Sequence, residues 1–418
     1  MNPACRCSSP RIAPSLYVIC RDYSIREGQS EMVRSRLRTS AGDVSRRLFQ
    51  QPVRVEQSVV IPTRNHPQRL AKCLTSLLEA GAEPGRCEIL VMDNSDKDVR
   101  AENAAVVAAF PDDVVRHVRM DSIGLMAARH EGVAAGRGEL VSFIDDDELV
   151  LPTWLEGVRG CFRDPTVGLV TGPFLPLFEA DQPGWLNSLW VSSPHGHSMG
   201  YLTLLDYGED ESWIDADMVW GGNLSIRRTI FYEVGGSHPD YLPPPWQAFQ
   251  GDGEGGLTVR VRAAGYRARY SPACGVLHAV PGERMTLEYL ERRAWFIGLH
   301  SSFTHARREH LLGPTDGVPD LPIAQKRPLS RRIASHLRRS LCRGILPQQP
   351  GPILPSCALA QVVEDVKRRL AQAHQDGWDW HREKLSRSPS LREYVCRRDF
   401  LGANAVLPSN GCARDANV

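Results

Sequence analysis

The chain has 418 residues, 42% of them hydrophobic, with 50 Lys and Arg against 49 Asp and Glu for a formal charge of +1. So even a balance gives no electrostatic reason for a nucleic-acid partner, and no run approaches the ~18 apolar residues of a membrane-spanning helix. The sequence opens without an apolar leader core, and its 11 cysteines include no C-x-x-C pair, which points to reduced thiols in a cytoplasmic protein. Residues 1–55 are arginine-rich with little apolar periodicity and are expected to form a poorly ordered N-terminal extension. Order begins with a strand at 58–65 (SVVIPTRN), then a helix on which Leu70, Cys73, Leu74, Leu77 and Leu78 recur at helical spacing. A second strand at 88–93, a helix at 101–110, a third strand at 114–118 and a helix at 124–136 follow. The fourth strand, 140–144 (LVSFI), ends abruptly in Asp145, Asp146 and Asp147. This alternation predicts an α/β fold, a mostly parallel sheet flanked by helices. Strand C-termini in such sheets face the ligand crevice. Three carboxylates there suit a divalent cation, because they are too costly to bury unpaired. Alternatively they cap the helix that 151–154 (LPTW) opens.

The blocks SVVIPTRN (58–65), VMDNSD (91–96), IGLMAAR (123–129) and FIDDD (143–147) follow one another in an order and spacing that resembles the family 2 glycosyltransferases. The likeness covers roughly residues 56–300. It implies a GT-A fold and an inverting sugar transfer from a nucleotide-diphosphate donor to an acceptor hydroxyl. It also implies a DxD motif, here Asp145-x-Asp147, that holds the donor diphosphate through Mn2+ or Mg2+. By the same match Pro62, Arg64, Asp93 and Asn94 line the nucleoside pocket, Arg129 lies near it, and Asp145 and Asp146 add donor contacts. The family often has two acids where this chain has Asp93-Asn94. On this reading 56–165 is the nucleotide-sugar-binding half and 166–310 the acceptor-binding and catalytic half.

From 167 to 217 the chain is rich in glycine and aromatics, among them Trp185, Trp190, Tyr201, Tyr207 and Trp213. These either present an acceptor surface or fill a core beneath a long loop. His195 and His197 lack an acid or thiol at metal spacing and read as loop residues. By the resemblance, WGGN (220–223) lies between donor and acceptor sites, its glycines letting backbone approach the sugar. In GDGEGG (251–256) the family has a Glu-Asp pair whose second acid is the catalytic base. Counting back from Leu257 and Arg260 puts Glu254 in that place and Gly253 in the first, with Asp252 as the alternative base. Acids capping a helix beside glycines would leave the same pattern. A strand at 265–270 leads towards His278, where relatives often keep a histidine, so the resemblance implies Asp145, Asp147 and His278 as metal ligands. A helix at 283–303 carries Arg292, Arg293 and Trp295 near the active face.

Pro314, Pro319, Pro322 and Pro328 mark a linker, opening a helical C-terminal extension over 311–418. Within it, Leu329, Ile333, Leu337, Leu341 and Ile345 recur every fourth residue, opposite Arg331, Arg332, Arg338, Arg339 and Arg343. Such a helix at 329–346 suits peripheral contact with the anionic inner face of a membrane, or docks its stripe on the catalytic domain. A further helix is predicted over 358–374. The expected function is a metal-dependent glycosyltransferase of cell-surface polysaccharide or glycoconjugate synthesis, acting on a glycan, lipid-linked or small-molecule acceptor. A catalytically inactive nucleotide- or glycan-binding scaffold of the same fold is the alternative.

Overall fold

Strand β1, Gln57–Thr63, is buried along its whole length. Its near-continuous apolar run, without alternation, is what a strand covered on both faces requires. In the computed structural model the described residues are 55–401 apart from 123, 243, 310–356 and 398. The N-terminal extension and the amphipathic segment 329–346 therefore lie outside the described residues. After β1 come α1 (Pro67–Glu79), β2 (Cys87–Asp93), α2 (Lys97–Ala108), β3 (Val115–Arg119), α3 (Leu125–Ala135) and β4 (Leu140–Ile144). Helix α2 begins four residues earlier than its sequence pattern indicates, after Asp96. The next elements are β5 (Glu148–Val150), α4 (Trp154–Cys161), β6 (Val167–Thr171), β7 (Phe174–Phe178), β8 (Val191–Ser193), β9 (Gly196–Met199), β10 (Leu204–Asp206) and β11 (Ser212–Ile214). Then follow β12 (Asn223–Arg227), α5 (Arg228–Glu233), α6 (Glu254–Ala263), β13 (Arg267–Tyr270), β14 (Val276–Val280), α7 (Leu287–Arg307), α8 (Cys357–Arg387) and α9 (Pro389–Val395).

The larger sheet runs β11-β13-β6-β12-β4-β1-β2-β3, with β3, β2, β1 and β4 mutually parallel and β12 antiparallel to β4. The chain steps outward from β1 to β3 and then returns to the other side of β1 as β4. That reversal is the switch point at which a crevice opens beyond the strand ends. Pairing between β1 and β4 stops at Val60–Phe143, while β1 stays paired with β2 up to Thr63–Asp93. Pro62, which has no N–H to donate, therefore stands beyond the β4 ladder and costs the sheet little. Buried polar groups inside the sheet satisfy one another: Gln57 Nε2 donates to Ser142 Oγ at 2.9 Å, and Ser142 Oγ lies 2.7 Å from Ser225 Oγ.

The acids after β4 do not cap a helix. They are followed by β5, which pairs antiparallel with β14 and sets Glu148 opposite His278, and α4 starts only at Trp154. β5 and β14 belong to a second sheet, β5-β14-β7-β10-β9-β8. The described part of the C-terminal extension is integral to the fold. Helix α8 runs to Arg387, well past the predicted 374, because it lies against α7 at backbone contact. A Cβ at Gly298 would sit 1.9 Å from the His374 carbonyl oxygen, and one at Gly377 would sit 2.0 Å from that of Trp295. Trp295 packs on Trp380 at this crossing rather than facing the crevice, with ring centroids 5.2 Å apart.

The buried histidines of this frame include His130, His238 and His381. Burial is the main cause that lowers their pKa values, to about 4, about 4 and about 3. They stay neutral when folded but take up protons in the unfolded chain below its ordinary value of ~6.5. Unfolding is then favoured as pH falls, by up to about 1.4 kcal/mol per pH unit for each histidine. The urea midpoint should fall between pH 7 and pH 5, with a shallower decline in His381→Gln. A decline in His381→Gln as steep as in the wild type would show that His381 is protonated in the fold.

Candidate active site

A cavity of about 800 Å3 lies beyond the C-terminal ends of β1 and β4. Thr63 Oγ1, at the end of β1, donates to Asp146 Oδ2 at 2.7 Å, and His66 Nδ1 is 3.4 Å from the same oxygen. Burial raises the Asp146 pKa, against the opposing pull of His66. Asp147 turns to the other wall. Its Oδ2 is 2.7 Å from Arg284, and 3.7 Å from both His278 Nε2 and Arg69. Burial opposes its ionisation, but His278 and Arg284 outweigh that and hold it well below the usual carboxylate range. Glu148, fully buried, accepts the Asp145 N–H at 3.1 Å. Burial, and then the charges of Asp145 and Asp147, push its pKa well above the ordinary value.

Arg129 joins this acid group to the helix α6 terminus. Almost completely buried, it donates to Asp145 Oδ1 at 2.8 Å and lies 3.7 Å from Glu254 Oε2. Burial would discharge it, but Asp145 and Glu254 raise its pKa overall. Gly221 and Gly222 make room for this convergence. A Cβ at Gly221 would lie 2.2 Å from Arg129 Nη1, and one at Gly222 would lie 2.4 Å from Glu148 Oε1 and 3.1 Å from Asp145 Oδ2. The Gly221 N–H donates to Glu254 Oε1 at 3.1 Å.

The two candidate bases differ in surroundings. Glu254 opens α6 and is 28% exposed into the cavity. Asp252 also reaches the cavity wall, but its Oδ1 accepts from His238 Nδ1 and its Oδ2 from Thr304 Oγ1, both at 2.5 Å. Burial opposes its charge, yet the His238 and Thr304 bonds hold its pKa well below the ordinary range. Phe303 and Phe400 close over His238, with ring centroids 5.4 and 5.2 Å away. Asp252→Asn is therefore expected to lower unfolding free energy by about 1.5–3 kcal/mol, as for a lost charged hydrogen bond, and to reduce turnover less than a change at Glu254. Denaturant titration beside a turnover assay checks this; unchanged stability with lost turnover would make Asp252 the base.

Of the residues expected at the nucleoside end, Pro62, Arg64 and Asn94 line the cavity. Arg64 is 3.3 Å from Asp96 on the exposed rim. Asp93 does not line it: it is fully buried, accepting from the Ser95 N–H at 2.9 Å and Asn103 at 3.2 Å, with His117 Nε2 at 2.8 Å. It braces the loop behind Asn94. Of the aromatics named in 167–217, Tyr201 lines the cavity. Trp185 and Trp190 pack against a buried cluster that includes Leu186, Met199 and Leu290, Tyr207 packs on Tyr270, and Trp213 lies under Arg267. His195 lies 3.4 Å from Asp215 and His197 bonds Ser192.

The expected metal set is only partly brought together: His278 meets Asp147, whereas Asp145 is taken up by Arg129. Among the described residues, no three His, Cys, Asp or Glu side chains are grouped so as to enclose a metal ion. Sequence reasoning missed Thr63, His66, Glu148, Tyr241 and Arg284 as cavity residues. Glu148, next after three acids, was the one with a local signal.

Residues 58–235 match the family described as Glycosyl transferase family 2. The chain is 29% identical over 252 residues to a pre-mycofactocin glycosyltransferase of Mycobacterium tuberculosis (strain ATCC 25618 / H37Rv), covering 59% of this chain and 47% of that one. It thus spans about half the length of this relative. It is 24% identical over 235 residues to a glucosyl-dolichyl phosphate glucuronosyltransferase of Haloferax volcanii, covering 55% of this chain and 71% of that one. A mannosyltransferase of Pyrobaculum calidifontis, solved in complex with GDP-Man and Mn2+, superposes with a TM-score of 0.46 at 17% identity, over 83% of this chain and 96% of that one. The matched segment, 58–235, carries the strand-end acids, Arg129 and the glycine pair, and is similar throughout to glycosyltransferase family 2.

Proposed function

We propose that the chain is an inverting glycosyltransferase of GT-A type that moves a sugar from a nucleoside-diphosphate donor to an acceptor hydroxyl in glycan or glycoconjugate synthesis. The observation that carries this reading is Glu254, exposed in the same cavity as the strand-end acids and tied to them through Arg129. Glu254 removes the acceptor proton as the new bond forms, a role that contributes about 10²–10⁴-fold. The Gly221 N–H and Arg129 orient its carboxylate. Pro62, Arg64 and Asn94 bound the nucleoside end, and Arg284 offers charge for the diphosphate. A base acting on the acceptor from the side opposite the departing diphosphate yields inversion.

The residues present suit a divalent cation in two respects. Glu148 Oε1 and Asp145 Oδ2 face the space that a side chain at Gly222 would fill, and His278 Nε2 lies 3.7 Å from Asp147 Oδ2. Asp145, Asp147 and His278 would hold Mn2+ or Mg2+, which would supply Lewis-acid stabilisation to the leaving diphosphate. The test is release of nucleoside diphosphate by the full chain from a panel of nucleotide sugars, with Mn2+ and with EDTA. Metal-dependent release from one donor is expected. No release from any donor, with or without acceptor sugars, would sink the reading in favour of a binding scaffold.

A further inference from the structure

Four arginines line the cavity: Arg64, Arg129, Arg284 and Arg293. Three meet a carboxylate, Arg64 with Asp96 at 3.3 Å, Arg129 with Asp145 at 2.8 Å and Arg284 with Asp147 at 2.7 Å. Arg293, on α7, has no carboxylate at ion-pair distance among the described residues. The acids around it include Asp240, which acts on it only at longer range. Asp240 Oδ1 is already engaged by His300 Nε2 at 3.0 Å and by the Tyr241 N–H at 2.8 Å. Arg293 Nη1 donates to the Tyr241 hydroxyl, and its Nε is buried with no hydrogen-bond partner among the described residues. A guanidinium so placed lacks a contact ion pair and part of its hydrogen bonding, which is costly away from water.

Tyr241 supplies a second observation. Its backbone φ is 51°, in the left-handed region that a residue with a Cβ adopts only when its surroundings impose it. The residue nevertheless stays 52% exposed, on the cavity wall. With an ordinary tyrosine pKa of ~10, the phenol keeps its proton at neutral pH. Its oxygen accepts from Arg293, which leaves the O–H free to donate to a ligand. A Cβ on Gly253, the residue before Glu254, would lie 2.9 Å from Asp240 Oδ2, and Asp240 precedes Tyr241, so this corner adjoins the base.

We infer that Arg293 and Tyr241 form an anion subsite on the acceptor side, and that the acceptor carries a phosphate or carboxylate group near the hydroxyl from which Glu254 takes the proton. The inference rests on the glycosyltransferase reading above. A planar guanidinium on the cavity wall beside a donating hydroxyl matches the oxygens of either group.

The test is calorimetric titration of the full chain, saturated with nucleoside diphosphate and Mn2+ so that the donor end is filled. The probes are inorganic phosphate, methyl glucuronide and, as the neutral comparison, methyl glucoside. At least one anion should bind more tightly than the glucoside, and the tighter of the two identifies the group recognised. Arg293→Gln should weaken that binding about 10- to 100-fold, the worth of a charged hydrogen bond, and Tyr241→Phe should weaken it less. Both variants should bind nucleoside diphosphate as the wild type does, which also reports that they are folded. Equal binding of all three probes, or anion binding untouched in Arg293→Gln, overturns the subsite. Weakened nucleotide binding in Arg293→Gln would place the arginine on the donor and overturn it too. If the wild type binds no nucleoside diphosphate, the glycosyltransferase reading fails instead. The same titrations on the nucleotide-free chain then decide the subsite alone.

Discussion

Glu254→Gln should cut turnover by about 10²- to 10⁴-fold, the usual contribution of a general base, with nucleotide affinity unchanged. The amide keeps the length of the side chain and can still accept the Gly221 N–H that now bonds Glu254 Oε1 at 3.1 Å. It cannot take a proton. The neighbouring Arg129 stays paired with Asp145, so the acid group on the far side of the cavity is undisturbed. Steady-state turnover with the donor found in the panel, beside a nucleoside diphosphate titration, reads both quantities. Wild-type turnover in this variant would remove Glu254 from the chemistry, and a parallel loss of nucleotide affinity would make it a binding group.

Asp147→Asn should weaken nucleoside diphosphate binding in Mn2+ by roughly 10- to 100-fold, the scale of a lost charged contact in a metal or anion site. Turnover should fall at least as far. The side chain is 8% exposed and faces Arg284 and His278, so removing its charge also leaves the Arg284 guanidinium without its carboxylate. The control is the same titration in EDTA. A loss confined to the metal-containing arm supports cation binding at this carboxylate. A loss equal in both arms would mean that Asp147 acts only by holding Arg284. Unchanged affinity and turnover would take the strand-end acids out of the mechanism.

Much of this was written in local sequence. Strands with continuous apolar runs, helices of 3.6-residue period and an abrupt acid triplet are short-range patterns, and they place β1 to β4 within a residue or so of where the fold has them. The same locality put Glu254 at the start of α6, because the register to Leu257 and Arg260 lies within one helix. Side-chain partnerships between distant segments were not legible. Asp93 ends a strand just as Asp145 follows one, yet it turns inward, because His117 and Asn103 from neighbouring elements complete its hydrogen bonds. For Arg129 the resemblance implied only a place near the nucleoside pocket. Only the fold sets it between Asp145 and Glu254, where their charges make a buried guanidinium tolerable. The C-terminal helix shows the same division. A helix was predicted there, but its length and its place were decided by Gly298 and Gly377, which let two backbones touch at positions about eighty residues apart in the chain. Periodicity is a property of neighbours along the chain. Electrostatic pairing and close packing depend on distances that arise only once the sheet and its covering helices are assembled.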